Sequence, residues 1–256
     1  MEKIASMLEI HRYPTPNRQY RNYLIDELLI ELNPPRKSFF LEIGCGTGEF
    51  LAKMCSLGYR GMGIDIEDRS IQIAKNRLSN TGIMVFRGDI MSVEGSFDIV
   101  FAFEVFEHIE DDTGAMRKVN QVLNDKGYFM LSVPGRKDIF SETDIAVGHI
   151  RRYEREELVQ KLQKTGFEIL IIWSWGLPLL SKIRTFVAKR EKQQDCSTLE
   201  RTKKSGYSRP TSSFIKKLYP IYSKFFILFK LQNLFLNSDF LNCNYLVLCR
   251  KANLYR

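Results

Sequence analysis

The hydrophobic and polar positions of the chain follow two interleaved patterns. Short apolar runs, which predict β-strands, alternate with segments whose apolar residues recur at helical spacing. Residues 97–103 are apolar almost throughout, which is typical of a central strand covered on both faces. Strands are predicted at 39–43, 61–65, 83–86, 97–103, 128–133, 167–173 and 244–249, and helices at 18–32, 49–57, 70–78, 113–123 and 154–165. This alternation favours a parallel α/β sheet.

The pattern changes after residue 175. A polar stretch with few large aliphatic residues precedes a segment in which Phe and Tyr are mixed with lysines, and a final apolar run follows. We expect the final run to join the main sheet, so that residues 1–175 and 241–256 form one core. Residues 176–240 are then a basic, aromatic-rich helical insertion, or cap, which is partly flexible at 189–213.

Composition excludes several classes of protein. The chain has 256 residues, of which 44% are hydrophobic and 27% charged, and these values exclude a fibrous or wholly disordered chain. Its five cysteines form no CxxC pair, which argues against a disulfide framework and a four-thiolate zinc site. The amino terminus does not resemble an export signal, and no apolar run is long enough to span a bilayer. We expect a cytoplasmic protein.

The charge is distributed unevenly. Residues 1–180 hold 22 Lys and Arg against 26 Asp and Glu, whereas residues 181–256 hold 16 against 4, for a net charge of +8. The excess positive charge therefore lies in the last part of the chain. A basic region of this size attracts an anionic partner, which could be a phosphate-bearing substrate, nucleic acid or an acidic membrane surface.

Three glycines separate the first predicted strand from the next helix. Gly44, Gly46 and Gly48 stand at alternate positions, where the absence of side chains permits a tight turn and close approach of a ligand. Asp65 ends the following strand, where a carboxylate can accept hydrogen bonds from ribose hydroxyls. A dinucleotide loop would need a third glycine where Glu49 stands, so a nucleoside derivative is the predicted ligand. The simpler alternative is a structural turn beside loop carboxylates.

Residues 42–48, Glu-Ile-Gly-Cys-Gly-Thr-Gly, resemble the first motif of the class I S-adenosylmethionine-dependent methyltransferases. The resemblance covers about residues 36–174 and 243–251. It implies a Rossmann-like, doubly wound, mainly parallel sheet, with a helical insertion before the last strand, and S-adenosylmethionine as cofactor. It places Glu42 near the ammonium group, Asp65 at the ribose and Asp89 at the adenine. The full set that it implies for cofactor binding is Glu42, Gly44, Gly46, Gly48, Asp65, Asp89, Ile90 and Phe103.

A second group of polar residues follows the apolar run at 97–103. The spacing Glu104-x-x-Glu107-His108, with His149 later in the chain, resembles the ubiquinone-biosynthesis O-methyltransferases. It also resembles the small-RNA 2′-O-methyltransferases, in which the pattern binds a divalent metal. Glu104, Glu107, His108 and His149 are therefore candidate ligands for Mg²⁺, Mn²⁺ or Zn²⁺. Two alternatives stay open: local pairing without function, or general-base catalysis by His108 or His149 without a metal.

The predicted function is S-adenosylmethionine-dependent methylation, at oxygen, of a small-molecule or lipid-like acceptor. Methyl transfer from a sulfonium is an in-line displacement, so alignment of the reactants supplies most of the catalysis. The alternatives are a metal-dependent RNA 2′-O-methyltransferase, and a non-catalytic binding protein on the same scaffold. The basic insertion could cover a lipid-like acceptor or contact an anionic membrane peripherally. Nucleic acid is the less favoured partner, since no RNA-binding module is recognised. The sequence does not specify an oligomeric state.

Overall fold

A computed structural model describes residues 16–176 and 243–252. Its helices and strands, numbered in chain order, are α1 (Pro16–Leu32), β1 (Phe39–Ile43), α2 (Glu49–Ser56), β2 (Arg60–Asp65), α3 (Asp68–Arg77), β3 (Met84–Arg87), β4 (Phe97–Phe103), α4 (Asp112–Val122), β5 (Leu123–Pro134), α5 (Glu142–Val147), α6 (Arg155–Lys164), β6 (Phe167–Trp175) and β7 (Asn244–Lys251). The gap between the two described ranges, residues 177–242, contains the whole predicted insertion except its first residue, 176. Its helical character and its flexible part at 189–213 lie outside the described residues.

The seven strands form one sheet in the order β3-β2-β1-β4-β5-β7-β6. Strands β1 to β5 pair in parallel, whereas β7 runs antiparallel to both of its neighbours, β5 and β6. The predicted mainly parallel, doubly wound sheet is confirmed, and the last strand joins it as expected. The chain order reverses direction between β1 and β4, and ligands of open α/β sheets bind at such a switch point.

The sheet separates two hydrophobic layers. One layer holds apolar residues of α4 and α6, and the other holds those of α1, α2 and α3. Strand β4 contributes alternately to both, with Val100 facing the first layer and Phe101 the second, and both are fully buried. The prediction of a central strand at 97–103 is confirmed.

The sequence pattern did not predict α5. This helix has only six residues, too few for apolar periodicity to be detected. It begins with a capping box between Ser141 and Asp144 and ends at Gly148, whose φ is 85°. These local signals, rather than hydrophobic spacing, define it.

Several predicted boundaries differ from those of the structure. The largest difference is in β5, which starts at Leu123 because Leu123 pairs with Phe97 across a register shift. Within residues 16–176 and 243–252, no helix combines the length and apolar character needed to cross a membrane.

Candidate active site

A cavity of about 680 Å³ opens at the carboxyl ends of β1 and β4. It extends from the loop after β1 to the segment after β4 and to residues 147–152. Helix α1 contributes Arg18 and Arg21 to its wall, and the far ends of β6 and β7 contribute Trp175 and Asn244. All of the predicted cofactor residues except Gly48 line this cavity.

The glycine loop has a left-handed backbone at each of its three glycines. The φ angles are 66° at Gly44, 53° at Gly46 and 75° at Gly48, values that favour glycine over any residue with a Cβ atom. A Cβ atom at Gly44 would lie 2.5 Å from Cγ2 of Val105. Gly48 lies behind the cavity as the N-cap of α2. The loop is therefore packed directly against the segment that follows β4.

Asp65 is held against this loop. Its Oδ2 accepts a hydrogen bond from the Gly46 N–H at 2.8 Å, and its Oδ1 accepts one from the Glu67 N–H at 2.9 Å. Burial raises the pKa of Asp65, and the two N–H donors partly offset that rise. Each carboxylate oxygen keeps a lone pair with which it can accept a further hydrogen bond at the cavity wall.

Glu42 presents a carboxylate without a full set of partners. It is buried in β1, and no described residue donates a hydrogen bond to its Oε2. Burial raises the pKa of Glu42 well above its ordinary value, although the positive charge of Arg21 acts in the opposite direction. A buried carboxylate of this kind is stabilised by a cationic donor that enters the cavity.

The remaining predicted cofactor residues, Asp89, Ile90 and Phe103, also line the cavity. Asp89 is exposed, and its Oδ1 accepts the Ser92 N–H at 3.1 Å, which caps the short 3₁₀ turn Ile90–Ser92. Ile90 is buried. Phe103 ends β4 and packs edge-on against Phe50, with ring centroids 5.1 Å apart.

Three of the four predicted metal ligands lie together. Glu107, His108 and His149 each place a ligand atom within 4.8 Å of the others. Nε2 of His149 is 3.6 Å from Oε1 of Glu107, and the two imidazole rings cross at 76° with their centroids 4.9 Å apart. Glu107 is fully buried, yet neither of its carboxylate oxygens accepts a hydrogen bond from a described residue. We call these three residues the Glu107 cluster.

Both histidines of the Glu107 cluster have a fixed orientation. Nδ1 of His108 is 2.9 Å from the Gly148 carbonyl oxygen, and Nδ1 of His149 is 2.9 Å from Oδ1 of Asp144. Since both oxygens can only accept, each Nδ1 carries a proton, and in the neutral form of either ring the lone pair lies on Nε2. Burial, together with the neighbouring His149, lowers the pKa of His108 to about 4, so His108 is neutral at pH 7.

Glu104 does not join the Glu107 cluster. Its backbone φ is 59°, an uncommon value for a residue other than glycine. Its Oε1 instead accepts a hydrogen bond from Oγ of Ser132, on β5, at 2.8 Å. The structure therefore brings together three of the four candidate ligands and pairs the fourth with a neighbouring strand.

Sequence reasoning missed two charged residues of the site. Arg21 lies on α1, and its guanidinium is 5.8 Å from the ring centroid of Phe103. Burial lowers the pKa of Arg21, and the negative charges of Glu104, Glu107 and Glu42 act in the opposite direction. Nothing in the sequence separates it from an ordinary surface arginine. Asp144 is buried beside His149, and the only sequence signal for it is the spacing Ser141-x-x-Asp144 of a capping box.

Known proteins that resemble this chain in sequence are methyltransferases. A family model described as a methyltransferase domain matches residues 17–171. A Mycolicibacterium smegmatis protein named "probable S-adenosylmethionine-dependent methyltransferase" is 27% identical over 134 residues, which are 50% of this chain and 51% of that protein. A ubiquinone biosynthesis O-methyltransferase of Thiobacillus denitrificans is 26% identical over 153 residues, covering 52% of this chain and 63% of its own.

These alignments are partial, because the chain spans about half to two thirds of the length of the curated relatives it matches. The likeness in fold extends further. The crystal structure of an S-adenosylmethionine-dependent methyltransferase from Mesorhizobium loti superposes with a TM-score of 0.55. It is 18% identical and covers 88% of this chain and 96% of that one. At this identity the likeness concerns the fold alone.

Proposed function

Because this chain belongs to the methyltransferase-domain family, we propose that it transfers the methyl group of S-adenosylmethionine to an oxygen of a small-molecule or lipid-like acceptor. One observation carries the proposal. A single cavity is lined by the glycine loop and Asp65 and also by His108 and His149, the two histidines of the Glu107 cluster. A nucleoside cofactor and an acceptor hydroxyl can therefore occupy the same cavity, as in-line transfer requires.

The residues present fit the cofactor. No described residue donates a hydrogen bond to Oε2 of Glu42, so this oxygen suits the ammonium group of the cofactor, and Arg21 lies on the same cavity as a cation for the cofactor carboxylate. Asp65 keeps acceptor capacity for the ribose hydroxyls, and the left-handed glycine loop leaves room for the backbone to approach the ligand. When bound, S-adenosylmethionine supplies a methyl group already activated by the adjacent sulfonium.

The Glu107 cluster fits the acceptor side of the reaction. The Glu107 carboxylate, to which no described residue donates a hydrogen bond, and the two imidazoles, whose Nδ1 atoms are held by oxygens, form a mixed oxygen and nitrogen donor set. Such a set suits a divalent cation, which would supply a Lewis acid that lowers the pKa of a bound hydroxyl. Without a cation, Nε2 of His149 would accept the hydroxyl proton directly.

A methyl-transfer assay tests the proposed function. The full chain is incubated with tritiated S-adenosylmethionine and with separate aqueous small-molecule, lipid and RNA fractions of a cell extract. We expect label in the small-molecule or lipid fraction, in a product that mass spectrometry shows to have gained one methyl group at oxygen. Label confined to RNA would contradict the proposal and support the 2′-O-methyltransferase alternative, and no label in any fraction would support a binding protein.

Glu42→Gln gives a prediction for the cofactor site. A hydrogen bond to a charged group contributes roughly 1.5–3 kcal/mol, so we expect calorimetry to show about tenfold or more weaker binding of S-adenosylhomocysteine. The variant is also expected to melt at a higher temperature than the parent at pH 7. The folded protein holds the Glu42 proton more tightly than the unfolded chain does, so parent stability falls as the pH rises above about 4.3.

This difference in melting temperature should shrink as the pH is lowered towards 4, where the carboxyl is protonated in both states. Thermal melts at several pH values, without ligand, measure the effect. Unchanged S-adenosylhomocysteine affinity in Glu42→Gln would remove Glu42 from the cofactor site. A melting temperature below that of the parent at every pH would contradict the burial argument.

The basic end of the chain gives a separate prediction. Residues 181–256 hold 16 Lys and Arg against 4 Asp and Glu, so we propose peripheral contact with anionic membranes. We expect the protein to co-sediment with phosphatidylserine-containing vesicles at low salt and to be released as the salt concentration rises. Vesicles of phosphatidylcholine alone are the control. Equal sedimentation with both vesicle types, or none with either, would contradict the proposal.

A further inference from the structure

We propose that Asp144 is a positioning residue, which holds His149 in the tautomer and orientation that direct its Nε2 lone pair towards Glu107. The inference rests on the proposed function of the Glu107 cluster and adds a residue to it. Asp144 is not one of the three grouped ligand residues, and its carboxylate accepts a hydrogen bond from His149 of the cluster.

The carboxylate of Asp144 is held by donors on both of its oxygens. Oδ1 accepts from Nδ1 of His149 at 2.9 Å and from Nε and Nη2 of Arg152 at 2.9 and 2.7 Å. Oδ2 accepts from the Ser141 N–H at 3.0 Å and from the Ser141 hydroxyl at 3.2 Å. With the side chain only 2% exposed, these contacts leave Asp144 little freedom to move away from the imidazole.

The backbone holds the same pair of residues in register. The His149 N–H donates to the Asp144 carbonyl oxygen at 2.9 Å, across a turn closed by Gly148 with a φ of 85°. The carbonyl oxygen of Gly148 accepts a hydrogen bond from Nδ1 of His108. One short segment, residues 141–149, therefore orients both imidazoles of the Glu107 cluster.

The orientation has a chemical consequence. A proton kept on Nδ1 leaves Nε2 of His149 as the only basic atom of the ring, and that atom is 3.6 Å from Glu107. A carboxylate behind an imidazole fixes the tautomer and the orientation of the ring, and loss of such a partner typically costs 10–100-fold in metal affinity or activity. Asp144 would act in this way whether Nε2 binds a cation or accepts the proton of the acceptor.

Nitrogen-15 NMR of the histidine rings tests the inference directly. The chain has three histidines, so selective labelling gives few signals, and a His149→Gln variant assigns the one of interest. In the parent, without metal and at pH 8, we expect His149 to be protonated at Nδ1. In Asp144→Asn we expect a mixture of tautomers, with about tenfold or more slower transfer of labelled methyl and unchanged affinity for S-adenosylhomocysteine.

Ser141→Ala is the matched control. It removes one hydroxyl bond to Oδ2 of Asp144 and weakens the cap of α5, but it leaves the bond between Asp144 and His149. We expect a lower melting temperature, the parent tautomer of His149 and a smaller loss of transfer rate than in Asp144→Asn. Equal transfer rates in Asp144→Asn and the parent would overturn the inference.

If Asp144→Asn does not fold, the parent spectrum still decides, because a His149 protonated mainly at Nε2 refutes the positioning role. A parent that binds no S-adenosylhomocysteine would instead count against the proposed function and leave the tautomer result intact.

Discussion

Gly44→Ala is expected to weaken binding of S-adenosylhomocysteine by about 100-fold or more. Two costs combine: a left-handed backbone disfavours a residue with a Cβ by roughly 1–2 kcal/mol, and overpacking costs roughly 1–3 kcal/mol. The φ angle is 66°, and the new Cβ would lie 2.5 Å from Cγ2 of Val105. Val105 immediately precedes the turn Phe106–His108, so relief of the clash must displace either the loop or the Glu107 cluster.

Gly58→Ala separates the clash from the backbone strain. Gly58 has a φ of 85°, but a Cβ atom there lies more than 4 Å from every described residue other than its chain neighbours, and Gly58 does not line the cavity. We expect it to lose about 1–2 kcal/mol of stability and to bind S-adenosylhomocysteine as the parent does. Calorimetry and thermal melts of both variants make the comparison. Parent-like binding by Gly44→Ala would contradict our assignment of the glycine loop.

Glu107→Gln is expected to slow transfer of labelled methyl by about 100-fold, with no change in S-adenosylhomocysteine affinity. The substitution keeps the shape of the side chain and removes the only carboxylate of the Glu107 cluster. Burial raises the pKa of Glu107 well above its ordinary value, and neighbouring Glu104 adds to that rise. Replacing this uncompensated acid should leave the melting temperature unchanged or raise it, so a loss of activity cannot be attributed to unfolding.

A chelator and Glu104→Gln complete this experiment. EDTA should slow the parent as much as the substitution does and should slow Glu107→Gln no further. Glu104→Gln should cost less than tenfold, because Gln Oε1 can still accept from Ser132. Turnover by the parent that is insensitive to EDTA would exclude the metal and leave His149 as the base. Full activity in Glu107→Gln would exclude the acceptor site both with a bound cation and with His149 as the base.

The alternation of strands and helices could be predicted because each element carries its own signal. The apolar run of β4 indicates burial on both faces, and the final apolar run indicates another strand. The position of β7 between β5 and β6, and its antiparallel direction, could not be predicted. They depend on pairing between residues far apart in sequence, such as Met130 with Leu248.

The same distinction applies to the site. The glycine loop and Asp65 are local motifs, and the structure places them in contact through the Gly46 N–H. Glu107 and His149 come together because residues 135–153 fold back over the segment that follows β4. The Ile150 N–H donates a hydrogen bond to the Glu107 carbonyl oxygen at 3.0 Å. Arg21 arrives from a helix that precedes the motifs, and its role follows from packing rather than from spacing.

The location of β7 has a consequence for biosynthesis. In the described sheet, β6 pairs only with β7, and β7 also pairs with the edge of β5 that faces away from β4. A nascent chain that has emerged only as far as Trp175 therefore exposes the backbone amides and carbonyls of β5 to any passing strand. During this interval of translation the unpaired edge of β5 favours aggregation, and we expect a chaperone that shields β5 to improve the yield of native protein.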